Sequence, residues 1–308
     1  MTITQLKYIV AVDNHRHFAK AAEACFVTQP TLSMQLQKLE EELDILIFDR
    51  SKHPIVPTPL GAKILEQARS VLYEAQVLKQ MAKKIGGKFE GELNLAVIPT
   101  VAPSLLPRFI PEFSHKYPDI KLKIEELKTD DMIEALRQDR IDLGIAATPL
   151  SEKGIEELPL YYEPFMAFVP EYHSMINDEF LLASELNANN MLLLNEGHCF
   201  RSSVLKICQT ELQQDQRINM ESGNFVTLVK LAHRGLGMTL LPYLNTLDLA
   251  AKYKKGIKPI AEPTPTREIS MLYTRTQLKQ EWIHAMAAVI QSTLPEKLLE
   301  KSDHIISP

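Results

Sequence analysis

Residues 18–43 have the sequence FAKAAEACFVTQPTLSMQLQKLEEEL, which predicts two short helices joined by a tight connection. The alanine-rich part, Phe18–Cys25, predicts a helix that packs closely against its neighbours. Leucines recur at helical spacing over Gln29–Leu43 and predict a second helix. Thr28 is the expected N-cap of this second helix, and Pro30 suits its first position.

With a further helix predicted over Thr4–Asn14, this arrangement is the helix-turn-helix pattern. In that motif the start of the second helix enters the major groove of DNA. Glutamine can read adenine there, and threonine and serine can contact bases or phosphates. The predicted DNA-facing residues are Thr28, Gln29, Pro30, Thr31, Ser33 and Gln35. A small structural bundle with a solvated polar face remains an alternative for the same residues.

Residues 47–61, IFDRSKHPIVPTPLG, resemble the winged-helix signature of the LysR family of bacterial transcription regulators. The resemblance places Arg50 in the wing as a DNA-binding residue and lets Thr58-Pro-Leu-Gly61 open a linker helix. Asp44 stands where the family usually has glycine, a departure expected to affect the turn and not the motif. Residues 1–58 are therefore predicted to form a winged helix-turn-helix domain that binds double-stranded promoter DNA.

Residues 59–87 are predicted to form a linker helix and a hinge. Apolar residues recur there at steps of four and three, which is typical of a coiled-coil seam. The predicted seam residues are Leu60, Ile64, Ala68, Val71, Ala75, Leu78, Ala82 and Ile85. A seam needs a partner helix, so we expect a homodimer that contacts two half-sites. The alternative is a helix packed on its own domain. Gly86-Gly87 would end the helix.

Residues 88–300 alternate strand and helix patterns, which predicts a mostly parallel α/β sheet. This part resembles the two-lobed, periplasmic-binding-protein-like effector domain of LysR regulators, in which a small ligand would bind between the lobes. The predicted fold is thus α+β and multidomain. Residues 301–308 are a largely polar tail that we expect to be loosely ordered.

Two cysteines lie in the segment Asn195–Cys208, which follows an apolar run, 191–194, predicted to be a buried strand. Cys199 is expected at a strand-to-helix turn, where the helix N-terminus, His198 and Arg201 would favour the thiolate. If helix filled the gap to Cys208, the two Cα atoms would be about 13 Å apart at roughly 1.5 Å per residue. A disulfide needs Cα atoms within about 7 Å, so bonding would require refolding. Two ordinary buried thiols are the alternative.

The string Gly197-His-Cys-Phe-Arg201 with Cys208 resembles the redox segment of OxyR-type hydrogen-peroxide sensors, a LysR branch. The resemblance implies that Cys199 is peroxidatic and that Cys208 resolves its sulfenic acid into a disulfide. Ser202 replaces an acidic residue often found in enterobacterial-type members, which affects the expected tuning of the thiolate or the turn geometry and not the sensing cysteine itself. By the same resemblance, the residues of the peroxide pocket are Thr100, Thr129, His198, Arg201 and Arg267.

The net charge of −5 gives no global indication of nucleic-acid binding, so a DNA-binding role must rest on a local region. The mixed polar and apolar N-terminus is not expected to be a signal peptide, and no apolar run approaches the roughly 18 residues of a membrane helix. Three cysteines favour a reducing cytoplasm and a transient disulfide over a structural framework. Nothing predicts a metal site or a cofactor. The resemblance further implies a homotetramer, and RNA polymerase is an expected partner. A metabolite-responsive LysR regulator and a thiol peroxidase are the alternative functions.

Overall fold

The structure, a computed structural model, describes residues 1–84, 90–208, 223–275, 277 and 279–308. The chain divides into two compact units, Met1–Lys88 and Phe89–Pro308. The predicted glycine hinge at 86–87 lies outside the described residues. Within those residues, no helix is long and apolar enough to cross a membrane.

The first unit is a three-helix core with a small wing and one long helix. Its elements are α1 Ile3–His15, α2 Phe18–Ala24, α3 Gln29–Leu43, β1 Phe48–Asp49, β2 Val56–Pro57 and α4 Pro59–Lys84. Leu32, Leu36 and Leu39 of α3 are fully buried, as their spacing predicts. Thr28 is the N-cap of α3, so Pro30 occupies the second helical position and not the first. Asp44 ends α3 in the left-handed conformation, which explains why glycine also suits this position.

Close packing of the wing on α4 requires a glycine. β1 and β2 pair antiparallel, and the Thr58 hydroxyl donates a hydrogen bond to the Leu46 carbonyl over 2.7 Å. A Cβ atom on Gly61 would lie only 2.0 Å from the carbonyl oxygen of Ile47. Gly61 therefore lets the start of α4 approach the chain that enters the wing.

Some residues of the predicted α4 seam pack on the core of the first unit, and others are exposed. Ala68 is 3% exposed, and Ile64 and Val71 pack against the core of the first unit. The alternative of packing on its own domain is therefore correct for this stretch. Leu60 and Leu78 are 49% and 71% exposed, so they remain available to a partner. The side chains of Ala82 and Ile85 lie outside what the structure describes.

The second unit is built on one mixed sheet. Its strands are β3 Gly91–Val97, β4 Ile120–Glu126, β5 Leu143–Thr148, β6 Ile155–Phe168, β7 Thr239–Pro242, β8 Ile257–Pro259 and β9 Thr266–Thr274. Its helices are α5 Ala102–Lys116, α6 Thr129–Arg137, α7 Cys199–Cys208, α8 Phe225–His233, α9 Tyr243–Leu247 and α10 Gln280–Ser292. The strand order is β4-β3-β5-β9-β6-β7, and β8 also pairs with β6.

The expectation of a mostly parallel sheet is wrong beyond the first three strands. β3 pairs in parallel with β4 and β5, because α5 and α6 return the chain to the same edge. β9 runs antiparallel to both β5 and β6, and β7 and β8 run antiparallel to β6. The two long strands β6 and β9 cross between two hydrophobic cores, which gives the two-lobed form that was predicted.

Two local predictions are corrected by the second unit. Residues 191–194 are buried as expected, but Met191 and Leu194 each form only an isolated bridge, that of Met191 being to Met238, and the segment is not a strand. The tail is not loose, because Ile305 bridges to Thr266 at the start of β9 and Ile306 packs on the second lobe. An apolar pair inside a polar segment supplies this docking.

Candidate functional site

Cys199 is the first residue of α7 and is half-buried. Its sulfur accepts hydrogen bonds from the Thr129 hydroxyl and from the backbone amides of Phe200 and of Cys199 itself. Thr129 is the first residue of α6 in the other lobe. Two helix N-termini therefore meet at the sulfur, an environment that stabilises negative charge.

A buried ion pair lies behind the cysteine. Arg267 is 2% exposed and donates to Glu163, which is fully buried, from Nε over 3.0 Å and from Nη2 over 2.8 Å. Arg267 also donates to the Thr100 hydroxyl and carbonyl oxygens, each over 3.3 Å. The other Glu163 oxygen accepts from the Leu244 amide over 2.6 Å. Each nitrogen of Arg267 and each carboxylate oxygen of Glu163 is thus engaged, which holds the Arg267 charge in place.

The pKa of Cys199 is set by opposing effects. Burial is the largest effect and raises the pKa above its ordinary value. The Arg267 guanidinium, the Thr129 hydroxyl and the amides of Cys199 and Phe200 act against it and lower the pKa. The net direction is upward, so the expectation of a thiol that ionises easily is wrong for this reduced conformation.

The two cations predicted to favour the thiolate do not do so here. Burial, followed by the charge of Lys128, lowers the pKa of His198, so the imidazole is neutral at neutral pH. Arg201 donates from Nη1 to the Leu194 carbonyl over 3.0 Å and so braces the turn before α7. Arg267 is the cation that acts on Cys199.

A cavity of about 470 Å³ opens in front of Cys199. Among the described residues, its lining is Thr129, Asp130, Leu150, Glu196, Gly197, His198, Cys199, Arg201, Ser202, Leu205 and Pro308. Of the predicted pocket residues, Thr129, His198 and Arg201 thus line the cavity together with Cys199. Thr100 and Arg267 form the buried layer behind it.

Cys208 is the last residue of α7 and is 4% exposed within the core of the second lobe. Burial raises its pKa to about 11. Cys199 and Cys208 are not joined by a disulfide. Because α7 is helical throughout, their Cα atoms are separated by about 13 Å, at roughly 1.5 Å of rise per residue. Cys25, by contrast, caps the C-terminal end of α2 and packs on the core of the first unit.

Sequence reasoning missed two charged residues that shape the site. Glu163 is the cross-strand partner of Arg267. A carboxylate inside the apolar run 158–168 could have indicated a buried ion pair. Lys128 donates from Nζ to the Glu196 carbonyl over 3.2 Å. A Cβ atom on Gly197 would lie 2.7 Å from that Nζ, and Gly197 has a positive φ of 83°. Because Nζ ends a flexible side chain and can move, the positive φ is the reason that glycine suits this turn.

The predicted DNA-facing surface is only partly free. Thr28, Gln29 and Pro30 are exposed at the start of α3, and Thr31 and Ser33 are half-buried beside them. The Gln35 side chain accepts a hydrogen bond from Gln5 over 3.3 Å, which draws it towards α1. Arg50 donates to the buried Glu40 carboxylate over 2.6 Å, so it ties the wing to α3.

Comparison with known proteins follows the same division of the chain. The bacterial regulatory helix-turn-helix protein family, lysR family, matches residues 3–62, and the LysR substrate binding domain matches residues 86–295. The chain belongs to the LysR family. The hydrogen peroxide-inducible genes activator of Haemophilus influenzae is 34% identical over 275 residues, covering 89% of this chain and 90% of that protein. The DNA-binding transcriptional dual regulator OxyR of Escherichia coli K12 is 34% identical over 273 residues, covering 89% of each.

Solved structures of OxyR resemble this LysR chain closely. A full-length OxyR variant from Pseudomonas aeruginosa has a TM-score of 0.77 and 33% identity, covering 94% of this chain and 98% of that one. An OxyR mutant from Corynebacterium glutamicum with hydrogen peroxide bound has a TM-score of 0.62 and 28% identity, covering 95% and 92%. The Escherichia coli relative and both solved structures carry the name OxyR.

Proposed function

We propose that this LysR protein is a DNA-binding regulator that senses hydrogen peroxide through Cys199 and switches expression of oxidative-stress defence genes. The observation that carries the proposal is the placement of α7. Its first residue, Cys199, meets a cavity and groups that stabilise negative charge, whereas its last residue, Cys208, is buried away from both. One cysteine can therefore react before the other, and the second can follow only if the helix opens.

The chemistry has two balanced steps. The Cys199 thiolate attacks one peroxide oxygen, an S–O bond forms, the O–O bond breaks, and the leaving hydroxide takes up a proton to become water. Arg267, the Thr129 hydroxyl and the amides at the N-terminus of α7 stabilise the thiolate that attacks. Cys208 then attacks the sulfenic sulfur, an S–S bond forms, and the S–O bond breaks with loss of a second water.

The second step is also the switch. A disulfide needs Cα atoms within about 7 Å, so α7 must unwind before the sulfurs can bond. Unwinding withdraws Val204, Ile207 and Cys208 from the second lobe's core. Reaction energy is thereby converted into a change of shape, which would alter promoter contacts through the first unit.

The assembly follows from the exposed part of α4. We infer a homodimer through this helix and a homotetramer overall, supported by the exposed seam residue Leu78 and by the OxyR relatives. Such an assembly would present paired copies of α3 to double-stranded DNA and would act with RNA polymerase in a reducing cytoplasm. No role of α3 or α4 is needed for peroxide turnover, which favours a regulator over a thiol peroxidase.

The test is to treat the reduced, full-length protein with stoichiometric hydrogen peroxide and to map disulfides by mass spectrometry. We expect a Cys199–Cys208 bond together with a changed footprint on promoter DNA. Cys208→Ser should stop at the sulfenic acid, which a dimedone probe would trap. Cys25→Ser is the matched control and should behave like the unaltered protein, because Cys25 belongs to the other unit's core.

A metabolite-responsive regulator is the second candidate, and the cavity size favours it. About 470 Å³ is far more than peroxide needs and is within the range of small-ligand sites. If no Cys199–Cys208 bond forms while the DNA footprint responds to a cell-extract metabolite fraction, this second function replaces the first.

A further inference from the structure

The last residues of the chain form a strap across the second lobe, defined here as residues 304–308. The strap is fixed at one end to β9, because the Thr266 amide donates to the His304 carbonyl over 3.0 Å and the Ile306 amide donates to the Thr266 carbonyl over 2.8 Å. Ile306 packs against the core of the second lobe. Thr266 is the neighbour of Arg267 in the chain, so the strap is anchored beside the buried ion pair of the site.

The other end of the strap is fixed to α7. Lys206 donates from Nζ to the main-chain oxygens of Ser307 and Pro308, each over 3.1 Å. The Ser203 hydroxyl lies 3.4 Å from the Ser307 oxygen and 3.3 Å from the Cys199 carbonyl oxygen. Ser203 and Lys206 are one helical turn apart and so share a face of α7 only while α7 is helical.

These contacts connect the strap to the segment that must unwind. Lys206 stands two residues before Cys208, and Ser203 stands between the two cysteines. Unwinding α7 moves Lys206 away from the strap, whereas the strap itself stays paired with Thr266. The bonds from Lys206 are therefore present before the helix opens and absent afterwards, so they stabilise the closed state alone.

We propose that Lys206 is a positioning residue that, through the strap, restrains α7 and slows the step in which Cys208 reaches oxidised Cys199. This inference rests on the proposed peroxide-sensing function. It assigns Lys206 to the second chemical step, because Lys206 is exposed and does not line the Cys199 cavity. Pro308 of the strap does line that cavity, so the first step has to be measured in each variant as well. The strap then sets how much oxidation is needed before the regulator switches.

An ordinary structural docking of the strap predicts something different. In that case loss of the contact would lower stability but would leave the two oxidation steps in the same ratio. The two rates must therefore be measured separately. The rate of sulfenic acid formation is measured in the Cys208→Ser background, and the rate of disulfide formation is measured in the protein that keeps both cysteines.

The experiment compares Lys206→Met, Lys206→Arg and Ile306→Ser with a matched control, Lys301→Met, which removes a lysine outside the strap. After rapid mixing with hydrogen peroxide, acid-quenched samples are resolved by mass into thiol, sulfenic acid and disulfide. Lys206→Met should form the disulfide about fivefold faster, equivalent to about 1 kcal/mol, as expected for an exposed charged hydrogen bond. Sulfenic acid formation should be unchanged.

Ile306→Ser should give the same acceleration by releasing the strap from the lobe. Lys206→Arg keeps a charged donor and should retain the slow rate of disulfide formation. Lys301→Met should have no effect on that rate. Unchanged disulfide formation in both Lys206→Met and Ile306→Ser would overturn the inference, although the proposed function would survive. A faster first step with an unaltered second step would also overturn it. If the unaltered protein forms no Cys199–Cys208 disulfide at all, the proposed function itself fails and the inference fails with it.

Discussion

The two ends of α7 differ in almost every physical property. At the N-terminal end, Cys199 receives hydrogen bonds from Thr129 and two amides and lies beside the Arg267 charge. At the C-terminal end, Cys208 is surrounded by apolar residues of the second lobe, and burial alone raises its pKa to about 11. The two thiols thus lie in opposite environments. The surroundings of Cys199 tolerate negative charge, and those of Cys208 exclude it.

Because of this difference, Cys199 is suited to react first with the oxidant and Cys208 to react later. Arg267 on β9, with its buried partner Glu163, and Thr129 on α6 do not depend on α7 remaining helical, and only the two amides at Cys199 come from α7 itself. The environment of Cys208 exists only while α7 is folded against the second lobe. A cysteine in a fixed polar frame suits the first reaction with an oxidant, and one in a removable apolar site suits a later reaction that follows opening.

The largest effect on stability is expected from replacing Arg267, beside the N-terminal end of α7. Arg267→Met leaves the Glu163 carboxylate buried and without its cation, which we expect to lower the free energy of unfolding by about 3–5 kcal/mol. Urea unfolding monitored by circular dichroism measures this change. Removal of the guanidinium should also raise the pKa of Cys199 further, since Arg267 lowers it.

The double variant Arg267→Met with Glu163→Gln provides the control, because it removes both charges while the introduced side-chain amide keeps an acceptor for the Leu244 N–H. It should be clearly more stable than Arg267→Met alone. If the double variant is as unstable as the single one, the loss reflects packing of the arginine stem and not an unpaired charge.

The second largest effect is the pH dependence of Cys199 oxidation. The pKa of Cys199 is above its ordinary value, so the thiolate is a small fraction at neutral pH and grows about tenfold per pH unit. In Cys208→Ser protein we therefore expect the rate constant for peroxide to rise about 100-fold from pH 6.5 to pH 8.5. Stopped-flow measurement of tryptophan fluorescence or quenched mass analysis gives this profile. A rate that is flat above pH 6.5 would mean that the thiolate already predominates, and the contrast between the two ends would then be larger still.

The first unit could be predicted from sequence almost to the residue, because its determinants are local. Leucine spacing, the Thr28 cap and Gly61 each act within a few turns of chain, and α3 begins and ends where they indicate. The positions of Cys199 and Cys208 on one helix were predictable for the same reason.

The polar frame of the site was not predictable, because its partners meet through long-range register. Glu163 and Arg267 face each other only because β6 and β9 pair antiparallel in one particular register. The pKa of Cys199 depends most on how deeply the two lobes bury the thiol, and the local sequence does not show that depth. The strap was missed because a polar composition does not reveal that the backbone of Thr266, at the start of β9, pairs with it.

The smallest effect is expected at the apolar end, where the pKa of Cys208 links stability to pH. A thiol whose pKa is raised by folding to about 11 favours the folded state below the ordinary thiol pKa and loses that advantage as pH rises through the folded value. We expect Cys208 to account for a loss of up to about 2 kcal/mol in the free energy of unfolding between pH 9 and about pH 11. Urea unfolding at pH 8.5 and pH 10.5 measures the difference.

Cys208→Ala isolates this contribution from that of the other titrating groups, since Ala keeps the site apolar and cannot ionise. Its stability should fall less than that of the unaltered protein over the same pH range, and a Cys25→Ala control should not reproduce the improvement fully because Cys25 is less buried. Equal pH dependence in Cys208→Ala and the unaltered protein would show that water reaches Cys208 in the folded state. The C-terminal half of α7 would then open readily before oxidation, and the apolar site could not delay the second reaction.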